Sequence, residues 1–326
     1  MSVKVGIVIP CYNEEEVLPE TASRMLSLLK RLVQSNKIAE TSTIYFVDDG
    51  SRDRTWSIIE DLALHSRNIS GVKLARNRGH QNAVLAGLFT AEGDALVSVD
   101  ADLQDDINVI EQMIDHYRNG TEIVYGVRKL RESDTFFKCF TARVFYRLMA
   151  LMGAETVYDH ADFRLMSRRA TEALKQFREV NLFLRGMVPL IGYKSAIVRY
   201  DRTERFAGES KYPLQRMIGL ALDAITSFSV VPLRFIAAIG VVVFLMATLM
   251  SIWALWIRFF TDRAIPGWTS IVLPLFILGG IQILCLGIIG EYLGKIYTEV
   301  KARPRYIIER VLEPGAVATV RYDSGR

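Results

Sequence analysis

Cysteine is scarce. Cys11, Cys139 and Cys285 are the only three in 326 residues, they lie far apart, and no CxxC pair occurs. That excludes a disulfide framework, gives no zinc signature, and points to a reducing, cytosolic setting. Histidine is also rare, at four residues, and His160 has no metal-ligand spacing around it. There is no GxGxxG and no GxxxxGK[ST], which argues against a dinucleotide oxidoreductase and a P-loop NTPase. Internal repeats and low-complexity segments are missing, and no apolar run opens the chain, so no signal peptide is expected.

Apolar residues are plentiful. They make up 50% of the chain, too many for disorder, with a mean hydropathy of +0.19 that is high for a purely soluble protein. Charged residues at 23% are too many for a chain that is all membrane. At roughly 150 residues per domain, the length suggests two units. The net charge of +4 hides a split: residues 1–126 carry 12 Lys+Arg against 19 Asp+Glu, and residues 127–326 carry 28 against 17. The acidic half suits a metal; the basic half suits phosphates or anionic lipid.

Two apolar runs, 233–257 and 270–293, each exceed the roughly 20 residues needed to cross a bilayer. Arg202, Arg205, Lys211 and Arg216 precede the first, and Lys295, Lys301, Arg303, Arg305 and Arg310 follow the second. The Lys/Arg bias therefore predicts a transmembrane hairpin with both termini cytoplasmic. Residues 213–232 are too short and interrupted to span. They read as an amphipathic helix in the membrane interface, an ordinary packed helix being the alternative. The tail, 294–326, is basic.

Across 1–212, apolar β-branched runs at 4–10, 42–48, 71–75, 95–100 and 122–127 alternate with helical stretches near 14–35, 54–66, 80–91 and 107–118. Such spacing predicts an α/β fold with a parallel sheet, whose ligands sit beyond the strands' carboxyl ends. The acidic motifs fall there: Pro10-Cys11-Tyr12-Asn13-Glu14, Asp48-Asp49-Gly50-Ser51-Arg52-Asp53, and Asp100-Ala101-Asp102-Leu103-Gln104. If the fourth strand continues through them, Asp100 and Asp102 share a face and suit Mg²⁺ or Mn²⁺ bridging to phosphates. The helix after the first strand opens with Glu14-Glu15-Glu16, which repels phosphate, so the metal must do the cradling. Asp48 and Asp49 fit turn chemistry or contacts to a base or ribose, and Asp53 fits a helix cap. Arg199, Arg202, Arg205, Gly208, Ser210 and Lys211 form a basic cluster that suits either a phosphate or lipid headgroups. Asp159 and Asp162 could place or deprotonate an acceptor, or pair with Arg164 or Arg168.

The motifs PCYNE (10–14), DDGSRD (48–53), RNRGHQNAVLAG (76–87), DADLQD (100–105), DFRLMSRR (162–169) and RTERFAGESKY (202–212), with the hairpin and the tail 291–306, resemble glycosyltransferase family 2. The likeness is to its polyprenyl-phosphate branch and covers residues 3–312. It implies a GT-A fold, Rossmann-like with a mainly parallel sheet, followed by an interface helix and a two-helix transmembrane hairpin. It implies that Pro10, Tyr12, Asn13, Glu14 and Asp49 bind the nucleotide base and ribose. Asp100 and Asp102 would hold the metal on the diphosphate, with Arg128 and Arg131 reaching that diphosphate. Asp159 or Asp162 would face the acceptor, and Arg202, Arg205, Ser210 and Lys211 would bind its phosphate. Two departures stand out: Asp106 replaces the family's usual proline, and Ala161 replaces a frequent glycine before the DFRL aspartate. The second leaves open which aspartate aligns with the family's presumed base.

The implied reaction is inverting transfer from a nucleotide-sugar, UDP-glucose or a related UDP-hexose, to undecaprenyl phosphate. The product would serve envelope or O-antigen glycan modification. The chain lacks the QxxRW motif of a processive synthase. A non-catalytic scaffold or lipid-flipping subunit is the alternative, and the DxD and arginine motifs are intact. Gly290 and Gly294 form a small-xxx-small pair suited to homo-oligomer packing, a tetramer included.

Overall fold

The computed structural model describes residues 2–128, 160–179, 184–201 and 268–314, with isolated helical positions between 236 and 256. The chain divides into two compact units. One gathers residues 1–146, 155–212 and 302–326; the other gathers 147–154 and 213–301.

In the first unit, the apolar runs become β1 (Val5–Cys11), β2 (Thr43–Asp48), β3 (Ile69–Leu74), β4 (Ala95–Ser98) and β5 (Ile123–Arg128). Between them lie α1 (Leu18–Gln34), α2 (Thr55–His65), α3 (His80–Thr90) and α4 (Val109–Arg118). β1, β2 and β4 are buried at every position, as expected for strands covered on both faces. α1 buries Leu18, Ala22, Met25, Leu29 and Leu32, a stripe at helical spacing. Each large apolar side chain so covered contributes about 1.5–3 kcal/mol. α3 lies tight on the sheet, because a Cβ at Gly87 would stand 2.2 Å from Val8 Cγ1.

Further elements complete the unit: β6 (His160–Ser167), α5 (Arg168–Lys175), α6 (Leu184–Leu190), β7 (Ser195–Tyr200) and, from the tail, β8 (Ile308–Leu312). The sheet order is β7-β5-β6-β4-β1-β2-β3-β8. β1 pairs parallel with β2 and β4, β2 with β3, and β5 with β7. β6 runs antiparallel to β4 and β5, and β8 antiparallel to β3. The sheet is therefore mixed, where the strand pattern predicted a parallel one. The tail also differs from a plain basic extension. Ile308 and Leu312 are buried, and Leu312 O accepts a 2.7 Å hydrogen bond from Ser70 Oγ.

In the second unit, the run expected at 270–293 lies within α7 (Trp268–Val300), a longer helix of 33 residues. The run 233–257 is described only at isolated positions, and the side chains of α7 only in part. Among the described residues, no helix is long and apolar enough to cross a membrane. The expected interface helix, 213–232, lies outside the described residues.

Candidate functional site

The order of the strands reverses between the parallel neighbours β1 and β4, with β2 and β3 on one side and β6 on the other. A crevice beyond the carboxyl ends at such a point is where open α/β sheets bind ligands. The three acidic motifs meet there.

The loops after β1 and β2 are laced together. Asn13, at φ 55°, donates its N–H to Ser51 Oγ at 3.0 Å, and its Oδ1 accepts from the Arg52 amide at 2.9 Å. The Glu14 amide donates to Thr55 Oγ1 at 2.9 Å, and the Glu15 amide to Asp53 Oδ2 at 3.2 Å. Gly50 has φ +68°, and a Cβ there would meet Asn77 N at 2.6 Å, so the 76–80 loop lies directly on this turn. Asp49 holds that loop: Oδ1 accepts from Arg78 N at 2.7 Å and Oδ2 from Gly79 N at 2.8 Å. Burial pushes the Asp49 carboxyl up, and these two amides pull it back only in part. Of the expected nucleotide contacts, Tyr12 is exposed at 41%, Asn13 is exposed, Glu14 is half-buried and Pro10 is buried in β1.

Asp100 and Asp102 differ from expectation. β4 ends at Ser98, Leu103 turns back at φ 55°, and Gln104 N donates to Asp102 Oδ1 at 3.2 Å. The two carboxylates sit on a turn, not on one face of a continuing strand. Burial, reinforced by Asp105, Asp162 and Asp102 against the opposing pull of His80, raises Asp100 to about 6. Asp105 is 3% exposed. Its Oδ1 accepts from Tyr200 Oη at 2.6 Å and Arg128 Nη2 at 3.1 Å, while its Oδ2 has no hydrogen-bond partner among the described residues. Arg128, expected to reach the donor diphosphate, is thus tied to Asp105.

This crowd of carboxylates with an orphaned buried oxygen fits a hard divalent cation. Mg²⁺ and Mn²⁺ typically take one or two carboxylates and complete their shell with phosphate oxygens and water. Among the described residues, no group of three or more His, Cys, Asp and Glu could hold a metal. A cation held here would need ligands beyond the described side chains, such as phosphate oxygens and water.

Asp162 comes from β6 and is 9% exposed. Oδ1 accepts from Arg164 Nη2 at 2.7 Å; Oδ2 lies 3.4 Å from Arg185 Nη2 and 3.6 Å from His80 Nε2. Although burial opposes its charge, His80, Arg164 and Arg185 hold this carboxyl well below the usual carboxylate range. His80 Nε2 also lies 3.4 Å from Asp100 Oδ1. Burial works against a charged imidazole, but the Asp162 hydrogen bond and the fields of Asp100 and Asp162 win, and His80 is raised.

The structure thus adds His80, Asp105 and Arg185 to the site, and of the two expected partners of Asp162 it supplies Arg164. His80 and Asp105 stand inside motifs quoted above, and a polar residue following Gly79 at a strand's carboxyl end was the available signal. Asp159, Arg131, Arg202, Arg205, Ser210 and Lys211 lie outside the described residues.

Residues 6–175 match the family described as Glycosyl transferase family 2. The chain belongs to this family. Its mixed α/β sheet is the GT-A fold, and family 2 membership makes it a glycosyltransferase. The uncharacterized glycosyltransferase YkoT of Bacillus subtilis (strain 168) is 50% identical over 305 residues, covering 93% of this chain and 90% of that one. The prophage bactoprenol glucosyl transferase homolog of Escherichia coli (strain K12) is 38% identical over 310 residues, covering 95% and 99%. A crystal structure of glucosyl-3-phosphoglycerate synthase from Mycobacterium tuberculosis, with Mn²⁺, UDP and phosphoglyceric acid, is similar at TM-score 0.45 and 16% identity, covering 69% of this chain and 76% of that chain.

Proposed function

We propose that this family 2 enzyme transfers a hexose from a nucleotide-sugar, UDP-glucose foremost, to undecaprenyl phosphate with inversion. One observation carries the reading: the Asp100–Asp102 turn follows β4 beside the carboxyl ends of β1 and β2, in a chain that aligns nearly end to end with relatives named bactoprenol glucosyl transferase.

The acceptor is a phosphate monoester with a second pKa near 6, as for phosphorylated side chains, and so is already an anionic nucleophile at pH 7. Its oxygen forms the new bond to the anomeric carbon as the bond to the nucleoside diphosphate breaks. No proton needs removal. The protein's tasks are then to orient two anions and to keep water out. Asp100 and Asp102 would hold a divalent cation, which supplies Lewis acidity toward the leaving diphosphate. Tyr12, Asn13 and Glu14 line the nucleotide side, on a turn kept rigid by Ser51 and Thr55.

Membrane attachment belongs to the same proposal: a hairpin of 233–257 and 270–293 with the catalytic unit and both termini on the cytoplasmic face. In its support, Trp268–Gly290 contains no Asp, Glu, Lys or Arg, and Ile271, Leu275 and Leu286 are 69%, 65% and 66% exposed on α7. The products would feed envelope glycan modification, and Gly290 and Gly294 would pack protomers.

The test is a donor screen. Membranes containing the protein are incubated with undecaprenyl phosphate, Mg²⁺ or Mn²⁺, and each radiolabelled nucleotide-sugar in turn. One donor should label the lipid, and EDTA or Asp102→Asn should abolish the signal. Full labelling in EDTA removes the metal, and no labelling with any donor removes the reaction.

A further inference from the structure

Leu184 is held at both of its backbone groups. Its N–H donates to Gln81 Oε1 at 3.1 Å, and its carbonyl accepts from Arg164 Nη1 at 3.3 Å. The start of α6 is thereby pinned to the start of α3. The residues next in sequence to this clasp, His80 and Arg185, meet over Asp162 and share its Oδ2.

One carboxylate faces Arg164, Arg185 and His80. Arg164 is 1% exposed and satisfies Oδ1 by itself, which is enough to neutralise a buried carboxylate. The side chains of His80 and Arg185 are each 43% exposed, against 12% for Asp162. A guanidinium and an imidazole, both half-exposed and converging on the one carboxylate oxygen that Arg164 leaves to them, set N–H donors side by side as recognition of a phosphate calls for. His80 also faces Asp100, whose charge the cation of the proposed reaction would take up.

We propose that His80 and Arg185 bind the phosphate of the acceptor, and that Asp162 is a positioning residue that holds this pair rather than a base. The inference rests on the glycosyl-transfer reading above. The chemistry recognised is a phosphate group, which both substrates carry. Sheet order favours the acceptor. The nucleotide loops follow β1 and β2 on one side of β4, whereas Asp162 and Arg185 come from β6 and α6 on the other. His80 stands between the two, where acceptor and donor phosphates must approach one sugar carbon from opposite sides. Asp162, with both oxygens facing cationic groups, has no oxygen to spend on a proton, and a phosphate nucleophile asks for none.

The experiment uses the full chain in detergent and two probes, farnesyl phosphate and a nucleoside diphosphate with Mn²⁺. Binding of each is measured for wild type, Arg185→Ala, Arg185→Lys, His80→Ala and His80→Gln, beside thermal unfolding. Arg185→Ala and His80→Ala should weaken farnesyl phosphate about tenfold or more while nucleoside diphosphate affinity stays within about twofold. Arg185→Lys should recover part of the loss, since a lysine keeps the charge without the two-pronged contact. If an alanine variant does not fold, the lysine and glutamine variants carry the comparison. An equal loss for the nucleoside diphosphate assigns the pair to the donor and overturns the proposal. Unchanged binding of both probes reduces the cluster to a structural ion pair and also overturns it. Failure of the underlying reaction looks different: wild type would then bind neither probe.

Discussion

Tyr200 donates its hydroxyl hydrogen to Asp105 at 2.6 Å, joining the edge strand β7 to the loop that carries Asp100 and Asp102. Burial, then the Asp105 charge, pushes the Tyr200 phenol up, so it stays a donor across the working pH range. Among the described residues Asp105 Oδ2 has no hydrogen-bond partner, and Tyr200→Phe would leave Oδ1 with Arg128 alone. Stripping a donor from a buried carboxylate costs about 1–3 kcal/mol. We expect Tyr200→Phe to lower Tm by several degrees and to weaken nucleoside diphosphate binding, because the metal loop loses its tether. A Tm within a degree of wild type shows that Arg128 holds Asp105 unaided.

Asp49 offers a second test. Its two oxygens take the successive amides of Arg78 and Gly79. In Asp49→Asn one oxygen becomes an NH₂ group facing an N–H, so one bond is lost and a repulsion gained. The expected cost is about 2–3 kcal/mol. The 76–80 loop should loosen, which hydrogen exchange at Arg78 and Gly79 reports directly. Slow exchange in the variant means the loop is held by other contacts.

Much of this was legible in sequence because buried parallel strands are written as β-branched runs. Ile7, Ile9, Ile44, Phe46 and Val97 give the central strands away. β6 was hidden because Asp162 and Arg164 interrupt its apolar pattern; their pairing was one of the two the sequence offered, and the fold chooses it over Arg168. β8 was hidden because the basic residues around Ile308 and Leu312 read as a solvated tail. The acidic motifs were found where expected, but their division of labour was not. Asp49 spends both oxygens, and Asp105 its Oδ1, on the protein itself, and His80 does the bridging. Hydrogen-bond partners are a property of three dimensions, and no spacing rule carries them.

Asp53 gives a prediction about pH. It accepts from the Thr55 amide at 3.0 Å and the Glu15 amide at 3.2 Å. Burial opposes its charge, but the Thr55 and Glu15 hydrogen bonds outweigh that, so its carboxyl is lowered. A carboxyl lowered by folding contributes its stability above the unfolded value of about 3.9 and loses it as pH falls through the folded value. Asp53→Ala should therefore cost about 1–2 kcal/mol near neutrality, with the gap to wild type constant down to about pH 5 and closing below about pH 4. Urea unfolding at several pH values measures this. A gap that widens on acidification contradicts the sign.

Gly87 sets two effects against each other. It lies in α3, where alanine is favoured over glycine by about 0.8–1 kcal/mol. Yet a Cβ there would stand 2.2 Å from Val8 Cγ1 and 2.7 Å from Val47 Cγ2, both on fully buried side chains of the central strands. Overpacking of this kind costs about 1–3 kcal/mol or more, and a contact at that distance leaves no room for a rotamer change to absorb it. The clash should win, so Gly87→Ala should destabilise despite its better helix propensity. The helix would have to move away from β1 and β2, and His80 sits at its first position. The variant should then lose catalytic efficiency out of proportion to its stability, with kcat/KM falling at temperatures where the protein is still fully folded. Unchanged activity in a destabilised but folded variant would mean the start of α3 is fixed by Asp49 and Leu184 rather than by how the helix seats on the sheet.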